Sequence, residues 1–195
     1  GEKVEITVNR AAGENLTEVV FQIGDRIRDV CTLETGLPPI QAEQLGPVEH
    51  IRIMKNDQVD AADIEKMAPS HIIVSGGSAA PEKAGNDLKI TKAFAGRIPI
   101  LGVCLGYRII CSAFGGESVQ MDEIEQGKRV LITVKEKKSI LRGLPDQFYA
   151  GYYHSETVPE ENIPKEFEVL AYDGKTPAAI AHKSLPIFGV EFHPE

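Results

Sequence analysis

One segment near the middle of the chain places a cysteine between an apolar strand and a predicted helix. Its sequence is Pro99-Ile-Leu-Gly-Val-Cys-Leu-Gly-Tyr-Arg-Ile-Ile-Cys-Ser-Ala-Phe-Gly-Gly116. The apolar run Ile98 to Val103 has strand length, and the spacing from Leu105 to Phe114 predicts a helix. Gly102 and Gly106 flank Cys104 two residues away on either side. A strand that turns tightly into a helix predicts a sheet with helices packed against it.

The layout around Cys104 is that of a nucleophile elbow. Such a turn raises the reactive atom above the sheet, and the next backbone N–H, at a helix N-terminus, can stabilise an oxyanion. The same helix end favours a thiolate. Cysteine is also often a small buried apolar residue, so the motif alone leaves both interpretations open.

Two further segments carry the groups that a cysteine nucleophile needs. The chain closes with Leu185-Pro-Ile-Phe-Gly-Val-Glu-Phe-His-Pro-Glu195, a short strand followed by His193 and Glu195. An imidazole can accept the thiol proton, and a carboxylate can fix its tautomer. Upstream, Ser70-His-Ile-Ile-Val-Ser-Gly-Gly-Ser-Ala-Ala-Pro81 predicts a buried strand that enters a loop with exposed N–H groups. That loop could donate to an oxyanion or be an ordinary turn.

Together these three motifs resemble the class I glutamine amidotransferases, from about residue 70 to the end of the chain. The resemblance implies a flavodoxin-like, three-layer α/β glutaminase fold with a mostly parallel central sheet and helices on both faces. It implies that Cys104 is the nucleophile, His193 the general acid and base, and Glu195 its orienting carboxylate. Gly77 and Leu105 would be the oxyanion donors. The reaction implied is hydrolysis of L-glutamine to glutamate and ammonia, without a metal or organic cofactor.

The glutamine pocket departs from the family pattern at two positions, and the segment before His193 shows a lesser change at Glu191. Arg108 stands where relatives usually carry glutamine, and Glu156 replaces leucine in a segment, Tyr152 to Thr157, that resembles the Tyr-His-Ser-Leu run of anthranilate and aminodeoxychorismate synthase glutaminases. Glu191, before Phe192, replaces a common glutamine. Arg108 could contact the substrate carboxylate, favour the thiolate, block the glutamine site, or face solvent. We predict that Arg108 and Glu156 form an ion pair.

The remaining pocket residues follow from the same resemblance. Ser155 and Glu156 would line the glutamine pocket with Arg108, and Gly77, Ser78 and Ala79 would line it from the loop after the upstream strand. That loop has the Ser-Gly-Gly form of the GMP synthetase glutaminase domain, whereas synthase subunits favour Ser-Pro-Gly-Pro-Gly. His154 is predicted to be structural or pocket-lining rather than catalytic.

Composition limits the range of partners. The chain has 195 residues, 42% of them hydrophobic, and a formal net charge of −8. An acidic chain without a basic cluster is not expected to bind nucleic acid or an anionic membrane. It has no apolar run of membrane-spanning length and no signal-peptide pattern at its start, which predicts a cytoplasmic setting. Three cysteines without a C-x-x-C pair predict reduced thiols, with Cys111 buried for packing.

The order of predicted elements indicates a parallel sheet followed by antiparallel strands. We expect one domain over residues 1–195 that lacks the final helix of its relatives. The predicted elements are strands at Lys3 to Asn9, Val48 to Met54, Ile72 to Val74, Ile98 to Val103, Arg129 to Lys135, Phe148 to His154, Phe167 to Tyr172, Ala178 to His182 and Ile187 to Phe192, and helices at Asn15 to Arg28, Ala61 to Met67 and Leu105 to Phe114. Residues from Cys31 to Gly46 are predicted to be a polar loop.

Within the family, the resemblance is greatest to the glutaminase component of anthranilate or aminodeoxychorismate synthase. It implies a synthase partner or fused domain that accepts the ammonia and uses chorismate. Three alternatives stay open: a non-catalytic regulatory homologue with an altered pocket, the glutaminase domain of a GMP-synthetase-like enzyme, and another thiol hydrolase of related fold, such as a γ-glutamyl hydrolase or a peptidase.

Overall fold

A computed structural model describes residues 5–7, 29–34, 50–75 and 80–194. Within these ranges the chain forms ten strands and three α-helices. In chain order they are β1 (Glu5–Thr7), β2 (Asp29–Glu34), β3 (His50–Lys55), α1 (Ala61–Met67), β4 (His71–Ser75), α2 (Asp87–Phe94), β5 (Ile100–Val103), α3 (Leu105–Ala113), β6 (Val119–Val134), β7 (Gln147–Thr157), β8 (Phe167–Asp173), β9 (Thr176–His182) and β10 (Ile187–Val190). None of the helices in these ranges is long and apolar enough to cross a membrane.

The described strands form one mixed sheet in the order β1-β3-β2-β4-β5-β10-β9-β8-β6-β7. The strands from β1 to β10 in that order are parallel, and the pairs from β10 to β7 are antiparallel. β5 lies between β4 and β10, with Val103 opposite both Ser75 and Val190. The carboxyl ends of three parallel strands therefore meet at Cys104, the residue after β5.

The sheet separates two apolar clusters because successive strand side chains point to opposite faces. Leu101 and Val103 belong to one cluster with Ile73, whereas Ile100 belongs to the other with Ile72. α1, α2 and α3 contribute buried side chains to the second cluster, among them Ile64, Ile90, Phe94, Tyr107 and Ile110. This packing fixes α3 directly over β5.

The predicted alternation of strands and helices followed by antiparallel strands is confirmed, and β5 is central in the sheet. α1 has the predicted bounds, and Asp60 caps it through a capping box with Asp63. The helix predicted from Asn15 lies outside the described residues. α2 was not predicted from the sequence.

One prediction is wrong at its start: the polar loop from Cys31 to Gly46 begins in a strand, because β2 covers Cys31 to Glu34. β2 pairs with β3 on one side and β4 on the other, with Val30 opposite Ile51 and His71. Hydrogen bonding on both sides stabilises this short segment as a strand despite its polar ends. Residues 35–46 lie outside the described residues.

Candidate active site

Cys104 occupies a tight turn between β5 and α3. Its backbone has φ +54° and ψ −107°, a conformation that costs free energy in an L-residue with a side chain. The Cys104 N–H donates to the Val190 carbonyl at 2.8 Å, which fixes the turn to β10. A Cβ added to Gly106 would lie 1.8 Å from the Val74 carbonyl oxygen, and one added to Gly102 would lie 2.4 Å from the Gly106 backbone. Both flanking glycines are therefore required, because neighbouring backbone atoms leave no room for a Cβ at either position.

His193 lies at the same edge of the sheet. β10 is the hydrogen-bonded neighbour of β5, and His193 follows the last residue of β10 by three positions. Its backbone N–H donates to the Gly151 carbonyl at 2.9 Å, and its ring meets the Tyr153 ring edge-on at 5.2 Å between centroids. Contacts with β7 thus fix His193, which is 2% exposed, on the segment that follows the neighbour strand of β5.

The side chain of Arg108 extends from α3 toward Cys104 and two carboxylates. Nη2 donates to the Cys104 Sγ at 3.8 Å, Nη1 donates to the Glu156 Oε2 at 3.2 Å, and Nε lies 3.6 Å from the Glu191 Oε1. Arg108 is 4% exposed and Glu191 is fully buried. The predicted ion pair between Arg108 and Glu156 is confirmed, and the solvent-facing alternative for Arg108 is wrong.

His154 completes this set of charged groups. Its Nδ1 lies 2.7 Å from the Glu191 Oε1 and 2.8 Å from the Glu156 carbonyl oxygen. Both neighbours are acceptors, so Nδ1 carries a proton and donates to them. The ring also stacks on Tyr152 at 4.5 Å between centroids. Arg108, His154, Glu156 and Glu191 are called the Arg108 cluster below.

The electrostatics of the Arg108 cluster are those of a balanced buried network. Burial opposes protonation of His154, but the hydrogen bond and charge of Glu191 outweigh it and raise the pKa of His154 above its ordinary value. Burial likewise opposes the charge on Arg108, while Glu191 and Cys104 raise its pKa. The Arg108 guanidinium and the His154 imidazole thus face the Glu156 and Glu191 carboxylates. Such matching is required because an unpaired buried charge costs several kcal/mol.

The structure brings several other predicted residues to this region. Leu105 begins α3, whose first N–H groups have no partner within the helix and point toward the carboxyl end of β5. Glu156 also accepts from the Ser118 hydroxyl at 3.0 Å, and the Ser155 carbonyl accepts from the Gln120 amide at 2.7 Å. Gly77, Ser78, Ala79 and Glu195 lie outside the described residues.

Cys111 is separate from this arrangement. It is fully buried on the apolar side of α3, as predicted, and burial raises the pKa of its thiol. The described residues hold no group of three or more His, Cys, Asp or Glu side chains that could bind a metal ion.

The sequence interpretation missed two members of the Arg108 cluster. Glu191 was treated as a minor change and His154 only as structural or pocket-lining, yet they pair with each other and Glu191 contacts Arg108. A signal was present: Glu191 is a third charged residue, two positions before His193 in a segment already assigned to the site. A carboxylate next to a predicted ion pair of Arg108 and Glu156 indicates a larger charged network.

Comparisons with known proteins identify the family of this chain. The family model of glutamine amidotransferase class-I matches residues 41–195. The chain belongs to the class I glutamine amidotransferases. Aminodeoxychorismate/anthranilate synthase component 2 of Bacillus subtilis is 40% identical over 149 residues, which cover 75% of this amidotransferase and 76% of that protein. Anthranilate synthase component 2 of Pseudomonas aeruginosa is 37% identical over 151 residues, 74% of this chain and 75% of that one.

A longer relative and two solved structures extend the comparison. The bifunctional protein TrpGD of Thermotoga maritima is 39% identical over 158 residues, 78% of this amidotransferase but only 26% of that protein. The crystal structure of a candidate GMP synthase subunit from Thermoplasma acidophilum has a TM-score of 0.72 at 23% identity, covering 88% of this chain and 86% of that chain. A glutamine amidotransferase from Thermotoga maritima has a TM-score of 0.69 at 12% identity, covering 87% and 76%. These two likenesses show the α/β fold.

Proposed function

We propose that this amidotransferase hydrolyses L-glutamine to glutamate and ammonia, with Cys104 as the nucleophile. The observation that carries the proposal is the strained turn at Cys104, at the meeting point of β4, β5 and β10 and at the start of α3. A strained backbone at a buried cysteine has no packing benefit, but it directs the sulfur out of the turn and beside the helix N-terminus.

Each step of the reaction has a residue in this site. His193 accepts the Cys104 proton, and the thiolate attacks the carbon of the side-chain amide, forming a C–S bond and an oxyanion. The N–H groups of Leu105 and Gly77 stabilise that oxyanion. The C–N bond then breaks, and ammonia leaves with a proton from His193. Water, deprotonated by His193, attacks the thioester and releases glutamate, while Glu195 fixes the imidazole tautomer.

The glutamine pocket lies between α3 and β7 in this proposal. Gly77, Ser78 and Ala79 bound it from the loop after β4, and Ser155 and Glu156 bound it from β7, with Arg108 at its base. Ser155 and Glu156 are half-buried and belong to β7. The same strand carries Gly151, whose carbonyl accepts from the His193 N–H. β7 therefore carries these pocket residues and also contacts the segment that bears the acid–base group.

The ammonia acceptor is proposed from the relatives. Relatives named as components of anthranilate and aminodeoxychorismate synthase indicate a chorismate-using synthase, either a separate subunit or a fused domain. A fused arrangement has a parallel in the Thermotoga protein, of which this chain spans about a quarter. We further infer that this work is done in the cytoplasm.

Glutamate release from L-glutamine tests the proposal. The parent, Cys104→Ala and Cys111→Ala are compared, each alone and with candidate synthase partners. Both cysteines lie on or at the start of the same helix and both are buried, so Cys111→Ala controls for loss of a buried thiol. We expect release to fall to background in Cys104→Ala only. Equal release from all three proteins would contradict the proposal.

A second candidate, a non-catalytic homologue that binds a partner, is favoured by the buried ion pair of Arg108 and Glu156. If that ion pair blocks the glutamine site, the parent releases no glutamate and Arg108→Gln restores release. If the parent releases glutamate, the ion pair does not block the glutamine site. If neither protein releases glutamate and partner binding is intact, the result would favour the regulatory homologue.

A further inference from the structure

Each nitrogen of the Arg108 guanidinium faces a group that can carry negative charge. Nε faces Glu191 at 3.6 Å, Nη1 faces Glu156 at 3.2 Å, and Nη2 faces the Cys104 sulfur at 3.8 Å. A guanidinium is planar and presents its N–H groups in fixed directions, so two carboxylate contacts determine where the third edge points. In this structure the third edge points at the sulfur.

We propose that Arg108 is a catalytic residue that binds the Cys104 thiolate through Nη2, while Glu156 and Glu191 act as positioning residues that hold the guanidinium on the sulfur. The proposal rests on the assignment of Cys104 as nucleophile. It adds a role for the residue that replaces the usual glutamine of the family. Arg108 thus presents a cation to the Cys104 sulfur, where a glutamine would present an uncharged amide.

The position of the two carboxylates supports this assignment over simple neutralisation. Neutralising Glu156 and Glu191 requires only the contacts of the guanidinium with those two carboxylates. The structure adds a third contact, because the carboxylates face Nε and Nη1 and the sulfur accepts from Nη2. His154 holds Glu191 at 2.7 Å, so the carboxylate that faces Nε is itself fixed.

Several titratable groups face Cys104 or the groups that contact it. Arg108 comes from α3, His154 and Glu156 from β7, and Glu191 and His193 from the segment after β10. Of these, Arg108 donates a hydrogen bond to the sulfur through Nη2, while its Nη1 and Nε face the two carboxylates. Removing the arginine charge therefore removes the cation that contacts the sulfur.

The expected size of the effect follows from the distance. An opposite charge within about 4–6 Å favours the charged form of a titratable group. Two carboxylates on the same guanidinium weaken its field at the sulfur. Removing the cation is therefore expected to slow alkylation of Cys104 at a fixed pH by about ten-fold, the order expected for one charge contact.

The test is the pH midpoint of Cys104 thiolate formation, followed by ultraviolet thiolate absorbance. Each protein is measured with and without Cys104→Ala, and the difference isolates this sulfur from tyrosines and from the other cysteines. Iodoacetamide alkylation at Cys104, located by peptide mass spectrometry, is a second readout. Neither readout uses glutamine. A parent without glutaminase activity but with an Arg108-dependent midpoint would therefore refute the proposed function and the catalytic role of Arg108, and would keep only its contact with the thiolate.

The decisive comparison is Glu156→Leu against Arg108→Gln/Glu156→Leu. The double variant removes one cation and one anion and keeps the hydrogen bond between His154 and Glu191, so fewer buried charges lose a partner than in Arg108→Gln alone. We expect Cys104 in the double variant to be alkylated about ten-fold more slowly than in Glu156→Leu at the same pH, with Arg108→Lys intermediate. Arg97→Gln is the control, because Arg97 is exposed and pairs with Glu65 at 2.7 Å on the surface. Equal midpoints in the two Glu156→Leu proteins would overturn the inference.

Discussion

At the scale of single residues, the elbow depends on Gly102 and Gly106, where an added Cβ would approach backbone more closely than at any other glycine that the structure describes. A Cβ at Gly106 would meet the Val74 carbonyl oxygen at 1.8 Å, far inside any allowed contact, and that oxygen belongs to a buried strand. Because backbone of a central strand cannot yield as a flexible side chain can, the site tolerates no side chain here.

Gly106→Ala is therefore expected to destabilise the protein by more than about 3 kcal/mol, as severe overpacking does. The control is Gly174→Ala, which has φ +55° but no heavy atom within 4 Å of an added Cβ. The control is expected to lose only about 1 kcal/mol, from backbone strain. Urea unfolding measures both. Similar losses in the two variants would contradict the steric explanation.

Asp87 gives a second prediction at this scale. Burial raises the pKa of Asp87 to about 7, although a hydrogen bond from the Asn56 amide opposes this shift. The unfolded pKa is about 4, so the folded state holds the proton in the interval between the two values. The stabilising contribution is thus fully present below about pH 4 and is lost as the pH rises through about 7.

Asp87→Asn is expected to flatten the decline in the free energy of unfolding over that interval, by an amount on the order of a few kcal/mol. Asp146→Asn is the matched control, because Asp146 is largely exposed and pairs with Lys137 on the surface. Denaturant unfolding at a series of pH values measures the slope. A decline in Asp87→Asn as steep as in the parent would show that another group causes it.

At the scale of elements, the Arg108 cluster joins α3 to β7 and to the segment after β10. Loss of one partner of a buried ion pair typically costs about 3–5 kcal/mol, because the other charge stays buried. Arg108→Gln should therefore destabilise strongly. Adding Glu156→Leu should recover part of the loss, since it removes a carboxylate left without its guanidinium and Glu191 keeps its hydrogen bond to His154.

The double-mutant cycle of Arg108→Gln and Glu156→Leu measures this coupling between α3 and β7. We expect a favourable interaction of about 1–3 kcal/mol, the range for residues in one buried network. Free energies of unfolding in urea supply the four corners of the cycle. Additivity within about 0.5 kcal/mol would mean that the ion pair does not join the two elements.

Local signals explain which elements could be predicted. α1 was predicted with its bounds because Asp60 and Asp63 form a capping box at its start. β2 was not predicted, and its residues from Cys31 onward were assigned to a loop, because Asp29 and Glu34 give the strand polar ends. The strand is stabilised by pairing with a neighbour on each side. α2 was not predicted because its first residue, Asp87, has a buried carboxylate that accepts a hydrogen bond from the Asn56 amide. Such a tertiary contact leaves no periodic signal in the sequence.

At the scale of the whole molecule, the site depends on pairing between distant segments. β5 and β10 are neighbours with Val103 opposite Val190, although more than eighty residues separate them. Sequence motifs predicted that Cys104 and His193 belong to one site, but the sheet order provides the physical reason. The pairing of Arg108 with Glu156 was predictable from complementary departures, whereas the contacts of Glu191 and His154 required the fold.

The central claim is that Cys104 forms a covalent bond with the side-chain carbon of glutamine. The direct measurement is mass spectrometry of the Cys104 peptide after rapid acid quench of the protein with L-glutamine, at intervals from the first turnover to steady state. The proposed mechanism predicts one added glutamyl group on Cys104, released by water as glutamate, and none in Cys104→Ala. Glutamate release without any glutamyl group on Cys104, or with one on another residue, would contradict it.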